Sequence, residues 1–178
     1  ENGEIDFPAL ERLVEWYVQH SVSGLFAICK SSESFYLSMD ERLEVAEFVA
    51  KRTANRIPVV AGGNFSRSPD EQVKEIQRMA RTGVDAVVLL TSTIAEEADE
   101  DAKWQERLAF VLDRIPRDIR LGLYESPAPY HRVASIDNLE WCLETDRFMF
   151  LKDTSCDLGL ITEKLATVES SLLRVFNA

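Results

Sequence analysis

The sequence predicts an α/β fold in which one parallel sheet is covered by helices. Three observations point there. The apolar runs are short and nearly continuous, as in strands buried on both faces. Amphipathic segments of helical period lie between them. The strand-then-helix unit recurs roughly every 30 residues, the size of a βα repeat. Composition agrees, since 178 residues with 46% hydrophobic and 29% charged side chains can form a single domain around one packed core.

The first element is a helix from Phe7 to Gln19, with Leu10, Leu13, Val14, Tyr17 and Val18 on one face and Asp6 placed as its N-cap. Ser23 to Cys29, opened by Gly24 and carrying Leu25, Phe26, Ala27 and Ile28, reads as a buried strand. Ser38 and Glu41 form a capping box for a helix running to about Thr53. Ile57 to Ala61 is the next strand. Ser68, Pro69 and Glu71 then supply an N-cap, a first-turn proline and a box acid for a helix stopping near Gly83. Ala86 to Leu90 is a strand, followed by a helix from about Asp99 that buries Trp104, Leu108, Val111 and Leu112. Ile119 to Tyr124 precedes a helix from about Ser135 through Leu139 and Leu143. Phe148 to Lys152 precedes a helix through Ile161 and Leu165, and Leu172 to Phe176 is the last strand.

Charge and cysteine usage exclude several function classes. Asp and Glu number 31 against 20 Lys and Arg, a formal charge of -11, so a nucleic acid would be repelled. No apolar run approaches the ~20 residues that cross a bilayer, and Glu1 to Asp6 are acidic rather than leader-like, so no membrane role is expected. Cys29, Cys142 and Cys156 form no CxxC pair, which argues against a disulfide framework or structural zinc and for a reducing, cytoplasmic compartment. His20 and His131 lack metal-type spacing and read as surface or turn residues. The run Glu96-Glu97-Ala98-Asp99-Glu100-Asp101 reads as a solvated loop feeding charge into a helix N-terminus rather than a metal or partner site.

Two architectures satisfy the pattern. A doubly wound sheet would usually carry a glycine-rich phosphate turn after its first strand, where this chain has Cys29-Lys30-Ser31-Ser32-Glu33. Gly62-Gly63 is too little for a phosphate loop. A (β/α)8 barrel needs ~250 residues, so length alone favours the doubly wound sheet. The strand ends favour the barrel. Lys152 closes the run Phe148-Met149-Phe150-Leu151, and a desolvated lysine there is a competent amine nucleophile toward carbonyls. A lysine marking a strand edge and snorkelling to water is the plainer reading. Tyr124, ending the neighbouring strand, shifts the balance because its phenol could relay protons to a Schiff-base adduct. Cys29 and Cys156 also fall in loops at this face, without a base to activate them.

Tyr124-Glu125-Ser126-Pro127 followed by Phe150-Leu151-Lys152-Asp153-Thr154-Ser155 resembles the dihydrodipicolinate synthase and N-acetylneuraminate lyase superfamily, in which a Tyr-Asn-x-Pro turn precedes a Schiff-base Lys-Asp/Glu-x-Ser segment. Gly24-Leu25-Phe26-Ala27, Leu37-Ser38-x-x-Glu41-Arg42, Pro58-Val59-Val60-Ala61-Gly62 and Gly83-Val84-Asp85-Ala86 fall in register with the same family. The resemblance implies a (β/α)8 TIM barrel, of which this chain would hold about strands 2 to 7, and leads us to expect a longer protein with further sequence at both ends. It implies a lyase or aldolase acting on pyruvate or a related 2-oxo acid, with an aldehyde as second substrate. Lys152 would form the imine, Tyr124 would move protons, and Ser31 with Ser32 and Lys30 would bind substrate. No metal or organic cofactor is required. A homo-oligomer, dimer or tetramer, is expected.

Departures from the family pattern argue against dihydrodipicolinate synthase activity itself. Lys30 replaces the proton-relaying threonine, Ile94 stands where synthases lend a tyrosine across a dimer interface, and Pro129 stands at the substrate-binding arginine, with Arg132 three residues on. Lys30 reads either as a solvated loop lysine or as a functional charge, the latter favouring a free Lys152 amine or binding a second acidic group. The competing reading of the whole is a non-catalytic, repurposed small-molecule-binding barrel of the same family.

Overall fold

In a computed structural model describing residues 4–178, six strands pair in parallel in strict chain order. The first three residues of the acidic start lie outside the described residues. The strands are β1 (Leu25–Phe26), β2 (Val59–Gly62), β3 (Ala86–Leu90), β4 (Leu121–Tyr124), β5 (Phe148–Asp153) and β6 (Arg174–Asn177). A doubly wound sheet reverses direction at a switch point; this one never does.

The helices are α1 (Phe7–Gln19), α2 (Met39–Thr53), α3 (Pro69–Ala80), the short α4 (Thr91–Ile94), α5 (Asp101–Leu112), α6 (Ile136–Glu144) and α7 (Leu158–Val168). Right-handed crossovers place successive helices on one face of the sheet, and each packs on its neighbour in sequence, α1 on α2, α2 on α3, α3 on α5, α5 on α6 and α6 on α7. The result is an arc of a (β/α)8 barrel with helices outside and a concave inner face.

Alternation along the strands divides the side chains between two environments. Val59, Ala61, Val87, Leu89, Leu121, Leu123 and Leu151 face the helices, where Ile76, Met79, Trp104, Leu108 and Leu139 complete the main core. Full burial of each valine, leucine, isoleucine or methionine among them contributes about 1.5–3 kcal/mol. Val88, Leu90 and Tyr124 face the other way, with Phe26, Val60 and Phe150. In β5 a bulge resets this alternation. Leu121 pairs with Phe148 but Gly122 pairs with Phe150, so Met149 is the extra residue. Phe148 therefore joins the helix-side core while Phe150 and Lys152 turn inward. A β-carbon on Gly122 would come within 2.3 Å of the Phe150 ring, so glycine is what lets that ring lie across β4. At Gly62 the added carbon would meet the Ile28 carbonyl at 2.7 Å, which explains this glycine by close strand packing.

Helix starts follow the capping signals closely. Asp6 accepts from the Ala9 N–H at 2.9 Å, and Ser38 and Glu41 exchange both capping-box bonds. Ser135 accepts from the Asn138 N–H at 3.1 Å. Ser68 differs: its hydroxyl makes no cap bond, because the preceding loop closes instead through Ser66 Oγ, which accepts the Ser68 N–H at 3.1 Å. The α5 helix begins at Asp101 rather than Asp99, since the Asp99 carboxylate turns back to accept the Glu96 N–H at 2.9 Å. On α7 Leu165 is 49% exposed, and Lys164 beside it is fully buried.

Candidate active site

The ends of β4 and β5 lie side by side, and the register sets Tyr124 directly opposite Lys152. Both point into the concave face. Lys152 Nζ lies 4.7 Å from the centre of the Tyr124 ring and 5.5 Å from that of Phe26, a cation over two aromatic faces. Among the described residues no carboxylate pairs with it. Phe26, Val60, Phe150 and Phe176 line with Lys152 an apolar concavity of about 420 Å³. Tyr124 is 5% exposed, and burial pushes its phenol above the usual value; the nearby Cys29 adds to this and a hydrogen bond with Ser126 partly offsets it.

The loop after β1 holds two short 3₁₀ turns, Lys30–Ser32 and Ser34–Tyr36. In the first of these the Cys29 sulfur hydrogen-bonds Ser31 Oγ at 2.8 Å and Ser32 Oγ at 3.4 Å, and Ser32 Oγ also accepts the Cys29 N–H at 3.1 Å. Burial alone would raise the thiol's pKa, but the Ser31 and Ser32 hydroxyls and backbone N–H groups outweigh it and hold Cys29 below its ordinary value. Ser31 and Ser32 thus form a small hydroxyl-lined cradle around the chain's own thiol. Lys30 is exposed and has no ion-pair partner among the described residues.

The remaining expected positions serve the scaffold. Arg132 donates to the Asp101 carboxylate at 2.9 Å and to the Asp99 carbonyl at 2.9 Å. Ile94 is 1% exposed and belongs to this chain's own core. Thr91, Ser92 and Thr93 donate to the carbonyls of Arg132, Ala128 and Asn64. The acidic run is matched by arginines, Glu96 with Arg67, Asp99 with Arg107 and Asp101 with Arg132. Among the described residues no cluster of His, Cys, Asp and Glu could hold a metal, and no helix is long and apolar enough to cross a membrane. His131 shares a hydrogen bond of 3.0 Å with Thr154, joining the loops after β4 and β5.

Sequence reasoning missed Glu125 and Lys164. Glu125, Asp153 and Lys164 are all fully buried, and Lys164 donates to both carboxylates. A signal existed for Lys164: Ile161, Lys164 and Val168 follow the helical spacing of a buried stripe.

Sequential parallel strands, an outer helical layer and polar side chains gathered at the carboxyl ends of the strands define a (β/α)8 barrel protein. The chain matches the Dihydrodipicolinate synthetase family over residues 1–173 and belongs to it. It is 30% identical over 159 residues to the 4-hydroxy-tetrahydrodipicolinate synthase of Laribacter hongkongensis, covering 89% of this chain and 53% of that protein. It therefore spans about half the length of that relative. The crystal structure of dihydrodipicolinate synthase from Aquifex aeolicus superposes with a TM-score of 0.81 at 24% identity, over 100% of this chain and 59% of that one. A prophage protein of the dihydrodipicolinic acid synthase family from E. coli K12, solved in complex with pyruvate, gives a TM-score of 0.86 at 20% identity, over 99% of this chain and 59% of that one.

Proposed function

We propose that this chain carries the imine-forming site of a cytoplasmic class I lyase or aldolase acting on pyruvate or a related 2-oxo acid. The observation that carries the reading is Lys152, an amine seated over two aromatic rings at a strand end, opposite a buried phenol and without a carboxylate partner. The Lys152 amine adds to the substrate ketone, and the carbinolamine loses water to give a protonated imine. Tyr124 gives and receives the protons of these steps. The substrate carboxylate takes the Ser31 and Ser32 donors once the Cys29 thiol swings aside, with Lys30 available at the rim for a second acidic group. In the cleavage direction the imine accepts the electron pair of the breaking C–C bond, leaving an enamine and the aldehyde; in the condensation direction a base first takes a proton from the adjacent carbon, and the resulting enamine attacks the aldehyde carbon and restores the imine.

Three departures favour a reaction other than dihydrodipicolinate synthesis: Lys30 stands in the relay position, Ile94 is buried within its own chain, and Arg132 is engaged by Asp101. Assembly as a homo-oligomer belongs to the same proposal, and the three free cysteines fit a reducing compartment. One observation favours the rival reading of a non-catalytic binding barrel, namely the sulfur already filling the cradle. Borohydride reduction in the presence of pyruvate separates the two. The expected result is a pyruvate-derived mass increment on Lys152, lost in Lys152→Ala. An unlabelled wild-type protein would overturn the enzyme reading.

A further inference from the structure

We propose that Lys164, Glu125 and Asp153 form a buried triad that positions the Lys152 and Tyr124 pair from behind the sheet. The inference rests on the reading of Lys152 as the imine-forming amine. Each carboxylate sits one residue after a member of the pair, and strand alternation turns it to the opposite face, toward the helices. There all three side chains are 0% exposed. Lys164 reaches in from α7, contacting Glu125 Oε1 and, at 2.5 Å, Asp153 Oδ2.

The carboxylates extend the grip to the loops. Glu125 accepts the Ala134 N–H at 3.0 Å and the Thr154 N–H at 2.9 Å. Asp153 accepts the Ser155 N–H at 3.1 Å, the Ser155 hydroxyl at 2.9 Å and Asn177 Nδ2 at 3.1 Å. One ammonium thereby ties the ends of β4 and β5, the loops beyond both, and β6. Buried ion clusters are poor sources of stability, because apolar side chains of similar volume serve as well or better. What this cluster supplies is geometry. It fixes the two strand ends against each other at the point where a nucleophile and a proton carrier must stay aligned, and a displacement of about 1 Å there can cost 10²-fold in rate.

The test uses the double variant Glu125→Ala/Lys164→Met, which removes one charge of each sign and leaves Asp153 with its Ser155 and Asn177 donors. The readouts are pyruvate-dependent borohydride trapping at Lys152, as the saturated rate and the half-saturating concentration per folded molecule, and circular dichroism for folding. A positioning role lowers the saturated rate about tenfold or more, with half-saturation changed by less than about twofold. Glu125→Gln/Lys164→Met, which restores an acceptor for the loop N–H groups, recovers part of the loss. A folded double variant trapping at the wild-type rate overturns the triad and leaves Lys152 in its role. A wild type that never traps overturns the imine reading, and the triad with it. If the double variant does not fold, Asp153→Asn decides: it keeps shape and donors, and an unchanged saturated rate refutes positioning.

Discussion

Removing the Cys29 sulfur should tighten pyruvate binding. In the proposed site the Ser31 and Ser32 hydroxyls serve the substrate carboxylate, yet they are now hydrogen-bonded with Sγ, which lies 2.8 Å from Ser31 Oγ and 3.4 Å from Ser32 Oγ. A carboxylate entering this cradle must break those contacts. Intramolecular hydrogen bonds contribute about 0.5–1.5 kcal/mol each net, and a thiol lies toward the low end, so two of them oppose binding by about 1.4 kcal/mol. That is about a tenfold effect on affinity. Cys29→Ala takes away the competitor without touching the donors, while its cost to stability stays near that of deleting one small buried atom, about 1 kcal/mol. The assay is the half-saturating pyruvate concentration for borohydride trapping at Lys152, checked by calorimetric titration. The expected value falls about tenfold. An unchanged value would mean that the carboxylate does not use this turn, and a several-fold rise would mean that the thiol itself is a substrate ligand.

Tyr124→Phe keeps the ring under the Lys152 ammonium and edge-on to Phe26 at 5.6 Å, so the melting temperature should hold while imine trapping slows about 10²-fold or more; a rate within about threefold of wild type removes the phenol from the mechanism. Away from the site, burial raises the Glu75 carboxyl above its usual value even though Oε2 accepts the Phe65 and Ser66 N–H groups at 2.7 and 3.0 Å. A carboxyl with a raised folded pKa contributes stability that is complete below the unfolded value of about 4.3 and is lost as pH rises through the folded one. Glu75→Gln should therefore gain on wild type in thermal melts as pH rises from about 4 to 7, and a pH-independent difference would refute that sign.

The helices were legible because their signals are local. Asp6, the Ser38 and Glu41 pair, and Ser135 each act within four residues of a helix start, where spacing along the chain is nearly spacing in space. Strand limits drifted for the opposite reason. Ser23 to Cys29 shrinks to Leu25–Phe26 because only those residues find register partners on β2. Composition also left two architectures open, since buried parallel strands look alike in either, and only the order of pairing separates them. The bulge at Met149 has no signature in the run Phe148-Met149-Phe150-Leu151, yet it decides that Lys152 rather than Leu151 faces inward with Tyr124.

The same contrast runs through the site. Lys152 and Tyr124 stood out as polar groups ending apolar runs, and it was their pairing within a family-like pattern, not either residue alone, that set a chemical reading above a snorkelling lysine and a core tyrosine. Glu125 and Asp153, their immediate neighbours, carry equally costly buried charge, but their compensation arrives from Lys164, 39 and 11 residues away. A strand-by-strand reading treats such acids as loop residues because it cannot see the partner that makes burial tolerable. Period-two alternation nevertheless forces the issue. Once Tyr124 and Lys152 are assigned to the inner face, the residues after them must face the helices if the strands continue, and a carboxylate there requires a cation from the helical layer. Lys164, the charged member of the buried stripe on α7, meets that requirement, so the inward assignment of the pair and the burial of the triad stand or fall as one geometric statement.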